Sequence, residues 1–169
     1  MATRISLREY QRDLVERLRN AGSGHTTSKL GLQVGNEGWL VDLADISEVI
    51  PAPSFTHVPL TRSWFTGVAN IRGNLYSVVD FSAFLGGAAV TVNEDTRLLL
   101  VGERFRMGSA LLIDRSLGLR NAEQLRELPN GKGHEPWVKA KYADTGGGNW
   151  KELDIPQLVR HPDFLGVAS

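Results

Sequence analysis

The sequence predicts a mostly β fold, built either as a sandwich or as small barrels. Short apolar runs recur along the chain, and glycine-marked turns separate them. Helical periodicity is confined to the first part of the chain, and from Leu30 onward the apolar residues follow strand-like spacing. Of the 169 residues, 41% are hydrophobic, which is enough to bury a substantial core. These observations favour a sandwich or small barrels over a parallel α/β sheet.

The first segment of the chain predicts an amphipathic helix. Ser6 and Glu9 have the spacing of a capping box, and Gly22 marks a stop. The predicted apolar stripe comprises Leu7, Tyr10, Leu14 and Leu18, with Val15 beside it. We therefore expect residues 1–28 to form a helix and a flexible linker, and residues 29–169 to form the main domain. The helix either packs on that domain or serves as an appendage that binds a partner.

The rest of the chain predicts strands, most of them paired in hairpins. The first three strands are "LGLQV", "GWLVDL" and "ISEVI", after which the prolines of "PAPSFTHVP" interrupt the pattern. Three predicted hairpins then follow: "VANIR" with "LYSVV", "TRLLLVGE" with "FRMGSALLI", and "WVKAKYAD" with "NWKELDI" across the turn "TGGG". Between Glu123 and Glu135 we expect a short helical turn followed by a loop.

Four predicted strands end in an aspartate, at intervals of 34 to 40 residues. These residues are Asp42, Asp80, Asp114 and Asp154. A set of metal-binding carboxylates is one interpretation. Capping of the turn or helix that follows each strand is the favoured one, because aspartate accepts hydrogen bonds from free backbone N–H groups there. The regular spacing also predicts two lobes of similar build, each about half of the chain.

Composition argues against several classes of function. The 19 basic and 19 acidic residues balance, whereas nucleic-acid and anionic-membrane binders normally carry a basic face. The chain contains no cysteine, so it has neither disulfides nor thiolate metal sites. Its start is charged where a signal peptide would be apolar, and no window is long and apolar enough to span a membrane. We therefore expect a cytoplasmic protein without direct membrane insertion.

No catalytic or metal-binding pattern is present in the sequence. The four histidines lie far apart, no nucleophile elbow of the Gly-x-Ser-x-Gly type occurs, and "TGGGN" precedes a strand rather than a helix. We expect no catalytic residues, no metal and no cofactor. A small hydrolase remains a minor alternative. A second alternative is a nucleic-acid-binding barrel, in which Trp137 and Tyr142 of "WVKAKY" would stack on bases.

The hairpin "GVANIRGNLYSVVDFSAFLG" resembles the signature of the CheW-like adaptor family. That signature is Gly-Val-x-Asn-Leu-Arg-Gly, a short spacer, then Pro-Val-Val-Asp-Leu and a helical turn. The matching positions are Gly67, Val68, Asn70, Arg72, Gly73, Val78, Val79 and Asp80. Ile71 replaces the leucine and Ser77 the proline. Upstream, "GWLVDLADISEVI" is similar to the family's strand pair. The resemblance covers about residues 30–125, and "WVKAKYADTGGGN" diverges from it.

The resemblance implies a fold of two SH3-like, five-stranded β-barrels around a shared apolar seam, here with the N-terminal helix added. It also implies an adaptor without enzymatic activity. The expected partners are the cytoplasmic tip of a methyl-accepting chemoreceptor and the regulatory domain of a CheA-type histidine kinase. The helix and the hairpin are most similar to adaptors of the chemosensory systems that control type IV pili and twitching motility. An adaptor of flagellar chemotaxis is the alternative within the family.

The resemblance also implies a partner-binding surface around Arg72. An arginine on an exposed hairpin offers five donors to a partner's carboxylates or carbonyls. The family pattern pairs Arg72 with Glu48, whose strand is expected to neighbour the hairpin, and adds Asn70 and Gly73 from the same hairpin. The expected apolar part of this surface consists of Val41, Ile46 and Val49. The alternative for Arg72 is a surface salt bridge without further role.

Overall fold

The computed structural model describes residues 7–20, 28–129 and 135–169 of the chain. The strands of this part are β1 (Lys29–Val34), β2 (Glu37–Asp42), β3 (Ile46–Pro51), β4 (Phe65–Ile71), β5 (Asn74–Asp80), β6 (Arg97–Val101), β7 (Ser109–Ile113), β8 (Arg115–Arg120), β9 (Leu125–Leu128), β10 (Val138–Asp144) and β11 (Asn149–Leu153). The helices are α1 (Leu7–Asn20), α2 (Phe81–Phe84), α3 (Ile155–Arg160) and α4 (Pro162–Leu165). Short 3₁₀ turns lie at Leu43–Asp45, Glu103–Phe105 and Ala122–Gln124. The predicted mostly β fold is confirmed.

The strands form two sheets, which define two lobes. Lobe A is the six-stranded sheet β8-β1-β2-β11-β10-β9, and lobe B is the five-stranded sheet β3-β6-β7-β5-β4. All three predicted hairpins are present as antiparallel pairs, namely β4–β5, β6–β7 and β10–β11. Two neighbouring pairs are parallel, β2–β11 in lobe A and β5–β7 in lobe B.

One detail of the sequence prediction is wrong. The expected loop after residue 124 contains strand β9, whose residues pair with β10 and give lobe A a sixth strand. The two lobes alternate along the chain, because the contiguous segment from β3 to β7 forms lobe B between β2 and β8 of lobe A. The sequence pattern also misses strand β8, since alternating arginine, glycine and leucine give it a weak apolar pattern.

Strand alternation divides the apolar side chains of lobe B between two cores. In β6, Leu99 and Val101 face the seam between the lobes, whereas Leu98 and Leu100 face the interior of lobe B. β7 follows the same alternation and is buried along its whole length. A strand buried on both faces has no polar face, which explains the continuous apolar runs "LLLV" and "ALLI".

Lobe A shares the seam and also buries polar side chains. Leu30, Leu32 and Leu153 of this lobe point into the seam. On the opposite face, Lys29 forms a buried ion pair with Glu152, and the Tyr142 hydroxyl donates to Glu152 Oε2 over 3.1 Å. Burial, together with the negative charge of Glu152, raises the pKa of Tyr142 to about 12. Three strands of lobe A are thus joined by directional polar contacts.

An aromatic cluster in the seam joins the lobes, and Phe84 of the short helix α2 is at its centre. The Phe84 ring lies 5.1 Å from the Trp64 ring, 5.1 Å from that of Trp137 and 5.7 Å from that of Phe164, measured between centroids. Phe81, on the same helix, packs edge-on against Trp39 at 5.2 Å. These partners come from both lobes and from α4, so α2 fixes how the lobes sit against each other.

The strand-ending aspartates are structural, as the capping interpretation predicts. Asp42, Asp80 and Asp154 each accept a hydrogen bond from a backbone N–H in the turn or helix that follows. Asp114 differs, because it accepts from the N–H of Gly35 in another turn. Asp80 is buried and does more than the others: its Oδ1 accepts from Ala83 and its Oδ2 from Val90, at 3.0 and 2.8 Å.

The described part of helix α1 contacts strand β3 of its own domain. Leu7 and Leu14 are half-buried, whereas Tyr10 and Val15 are exposed, so only a narrow face of the helix is covered. The predicted cap at Ser6 and stop at Gly22 lie outside the described residues. The helix therefore has a contact within its own domain and also leaves apolar side chains accessible.

We expect Asp80→Ala to lower the free energy of unfolding by about 2 to 4 kcal/mol, because it leaves the half-buried N–H groups of Ala83 and Val90 without their acceptor. Urea denaturation with an unchanged m value measures this loss. Asp154→Ala is the matched control, since this aspartate caps α3 with a single exposed bond and should cost about 1 kcal/mol. Equal losses in the two variants would contradict the role assigned to Asp80.

Candidate functional site

The turn between β4 and β5 holds Arg72 in an unusual backbone conformation. Arg72 has φ 52° and Gly73 has φ 85°, so both central residues occupy the left-handed region that tight hairpins require. The Asn70 side chain stabilises this turn, because its Oδ1 accepts from the N–H of Gly73 over 3.0 Å. Asn70 and Gly73 thus hold the turn in shape, and the turn carries the arginine outward.

Arg72 pairs with Glu48, as the resemblance implies. Arg72 Nη2 lies 2.5 Å from Glu48 Oε1, and 57% of the arginine side chain remains exposed. The hydrogen bond and the negative charge of Glu48 raise the pKa of Arg72 above its ordinary value. The guanidinium is therefore oriented by an internal partner and is still accessible to a second one.

The Arg72–Glu48 pair joins the two edges of the lobe B sheet. β3 and β4 are the outer strands of that sheet, so Glu48 and the hairpin are not hydrogen-bonded neighbours within it. A second link lies further along β4, where Thr56 N–H donates to Val68 O over 2.8 Å and Val68 N–H donates to Thr56 O over 2.9 Å. One ion pair and one backbone pair thus connect the segment from β3 to Thr56 with the β4–β5 hairpin.

Gly67 permits the backbone link. A Cβ at this position would lie 2.1 Å from the carbonyl oxygen of Thr56, and the backbone has φ 140°. Only glycine allows the segment at Thr56 to approach the edge of β4 this closely. Glycine is therefore needed at position 67 because lobe B closes there. A Cβ at Gly73 would meet no atom within 4 Å, so that glycine is explained by its φ alone.

Two of the predicted apolar contact residues are not on the surface. Val41 is 0% exposed and Ile46 is 5% exposed, because strand alternation turns both side chains into the seam between the lobes. Val49 is half-buried and packs against the same core. The expectation that Val41 and Ile46 contribute to an exposed surface is therefore wrong. The structure instead gives them a role in the core.

Sequence reasoning missed an exposed leucine of the hairpin and an ion pair made by the residue that precedes β3. Leu75 pairs with Asn70 in the hairpin and is 65% exposed. The exposure of Leu75 could have been inferred from the alternation of β5. Tyr76 and Val78 face the interior of lobe B, so Leu75 must point the other way. Asp45 forms an ion pair with Arg104, yet burial raises the pKa of Asp45 despite that arginine.

Three observations on the described residues bear on the alternative functions. No group of three or more metal-ligating side chains occurs in the described ranges. The "TGGG" turn closes a hairpin, and Asp144 accepts from the N–H groups of Gly146 and Gly148. Trp137 is buried in the seam, which contradicts its proposed stacking on nucleic acid. Within the same ranges, no helix is long and apolar enough to cross a bilayer.

The structure is a mostly β domain of two joined lobes that presents an exposed, internally paired arginine. The family model described as "CheW-like domain" matches residues 29–163. The chain therefore belongs to the CheW-like family.

Individual relatives agree with this assignment. Protein PilI of Pseudomonas aeruginosa is 26% identical over 147 residues, which is 83% of this chain and 80% of PilI. Chemotaxis protein CheW of Helicobacter pylori is 30% identical over 97 residues, or 53% of this chain and 59% of that protein. The crystal structure of the scaffolding protein TtCheW from Thermoanaerobacter tengcongensis matches with a TM-score of 0.64 at 18% identity, covering 76% of this chain and 88% of that one. The structural match supports the fold.

Gly67→Ala should destabilise the protein by about 3 kcal/mol or more, because the new methyl group overlaps a backbone oxygen that cannot move without opening the Thr56–Val68 link. Gly73→Ala provides the comparison and should cost about 1 kcal/mol, since it meets only the left-handed backbone penalty. Thermal unfolding of both variants tests this order. Equal stabilities would show that Gly67 does not serve closure.

Proposed function

We propose that this protein is a non-catalytic adaptor that couples methyl-accepting chemoreceptors to a CheA-type histidine kinase. The observation that carries the proposal is the Arg72 hairpin, which presents an oriented and accessible guanidinium within a CheW-like domain. The proposed partners are the cytoplasmic tip of the receptor and the regulatory domain of the kinase. The proposed location is the cytoplasm, at a cell pole that carries receptor arrays.

The proposed binding surface is centred on Arg72 and Glu48. Asn70 and Gly73 shape the turn, and exposed Leu75 supplies an apolar anchor next to the charged one. A charged and an apolar anchor side by side suit a transient interface, in which a few residues provide most of the affinity. Val49 follows Glu48 on β3 and packs against the seam, and we include the accessible part of this half-buried side chain in the proposed surface.

The pathway we propose is the one that controls type IV pili and twitching motility. Support comes from the similarity to PilI, which extends over 147 residues and 83% of this chain. Helix α1, which precedes the CheW-like part of the chain, is the further feature that favours this assignment. The alternative is the CheW adaptor of a flagellar chemotaxis pathway.

We expect Arg72→Glu to abolish co-precipitation of receptor and kinase, because it replaces the accessible cation with an anion and also repels Glu48. Circular dichroism and melting temperature should change little, since exposed ion pairs contribute little to stability. Arg115→Glu is the matched control: this arginine is also half-exposed and paired, with Asp95 on the surface away from the hairpin. Unaltered binding by Arg72→Glu would refute the assignment of Arg72.

A charge exchange separates binding from internal pairing. The double variant Glu48→Arg with Arg72→Glu restores an ion pair between the two positions but reverses the charge that the hairpin presents. We expect binding to remain lost in this variant. Recovery of binding would mean that the pair acts only by holding lobe B closed.

The pathway is tested in cells by two motility assays. A strain lacking the protein should lose twitching and retain swimming, and the intact chain should restore twitching. Re-expression of residues 29–169, without the helix and linker of residues 1–28, should restore twitching only in part if α1 contributes to partner binding. Loss of swimming with normal twitching would favour the flagellar alternative.

A further inference from the structure

The segment before β4 presents a leucine in a costly conformation. Leu60 has φ 60° and is 84% exposed. A left-handed backbone costs a leucine roughly 1 to 2 kcal/mol, whereas glycine or asparagine adopts it readily. An exposed apolar side chain in such a conformation stabilises nothing within its own chain, so its position calls for an external contact.

The C-terminal residues hold Leu60 in place. Ser169 N–H donates to Leu60 O over 3.1 Å, and Arg62 N–H donates to Val167 O over 2.8 Å on the other side of the Thr61–Ala168 bridge. The Arg62 side chain adds a bond from Nε to Gly166 O at 2.9 Å. The backbone at Leu60 is therefore held in place before any binding, so little conformational entropy is lost when its side chain binds. We call this protruding side chain the knob.

A notch lies beside this knob. Its volume is about 260 Å³, its walls include the rings of Trp64, Phe84 and Trp137, and Arg62 and Asp163 line it as well. Both charged residues are exposed, and Asp163 lies 3.7 Å from His161 Nδ1. The residues that line the notch therefore combine three aromatic rings with one positive and one negative side chain.

We propose that this face binds a second copy of the same chain around a two-fold axis. In this arrangement Leu60 of each copy enters the other copy's notch, and Arg62 of each faces Asp163 of the other. A surface that carries a knob, a notch and both charges is self-complementary, which is the requirement of a symmetric dimer. Leu165, exposed beside Gly166, extends the apolar contact. The area is small, so the dimer is weak and forms at high local concentration.

Sedimentation velocity of the full chain over a wide range of concentrations tests the proposal. The wild-type protein should pass from monomer to dimer as concentration rises. Leu60→Asn should raise the dimer dissociation constant by about tenfold or more, while its melting temperature stays equal or increases, because asparagine tolerates the left-handed backbone. Val92→Asn is the control, since Val92 is also an exposed apolar residue but lies outside the notch, and it should dimerise like the wild type.

Charge reversal then tests the two-fold geometry. Arg62→Glu and Asp163→Arg should each weaken self-association, because each places like charges opposite one another at both ends of the contact. An equimolar mixture of the two variants should recover association, since both contacts then join opposite charges. A wild-type chain that stays monomeric at every concentration, a Leu60→Asn variant that dimerises normally, or a mixture that does not recover would each overturn the proposal.

Discussion

Closure of lobe B between its two outer strands is the constraint on which the proposed surface depends. A sheet whose edges stay open exposes unpaired backbone groups. Here the edges are joined by the Thr56–Val68 backbone pair and by the Arg72–Glu48 ion pair. The family motif on β4 therefore makes both links possible. Gly67 leaves room for the backbone pair, and the turn at Arg72 positions the arginine for the ion pair. Arg72, the residue with the clearest binding chemistry, thus also helps to close lobe B.

The seam turns the two lobes into one rigid support. Side chains of both sheets and of α3 share one core, and α2 carries the aromatic ring that contacts the most partners within it. Asp80 caps α2 through the N–H of Ala83 and also holds the following loop through the N–H of Val90. Surfaces on either lobe are thus held in a fixed arrangement relative to one another.

Features set by neighbouring residues could be predicted from the sequence, and features set by distant ones could not. The hairpins and the caps of Asp80 and Asp154 follow from local turn chemistry, and the structure confirms them. Val41 could not be placed, because its burial depends on the core that the two lobes form together. The sixth strand of lobe A likewise depends on β10 as a partner, since its own sequence has little apolar alternation. The Arg72–Glu48 pair could be expected only through family resemblance.

In the sequence, the strands of lobe B are inserted between β2 and β8 of lobe A. This order has a consequence for how the chain folds. Lobe B is contiguous, so it can assemble while a ribosome is still synthesising the remainder. Lobe A can be completed only later, because β2 pairs with β11, which is the last strand to be synthesised. Bringing such remote strands together is entropically slow, and a lobe B that is already compact shortens the effective distance between them. A folded lobe B thus brings the two parts of lobe A together while the protein is being made.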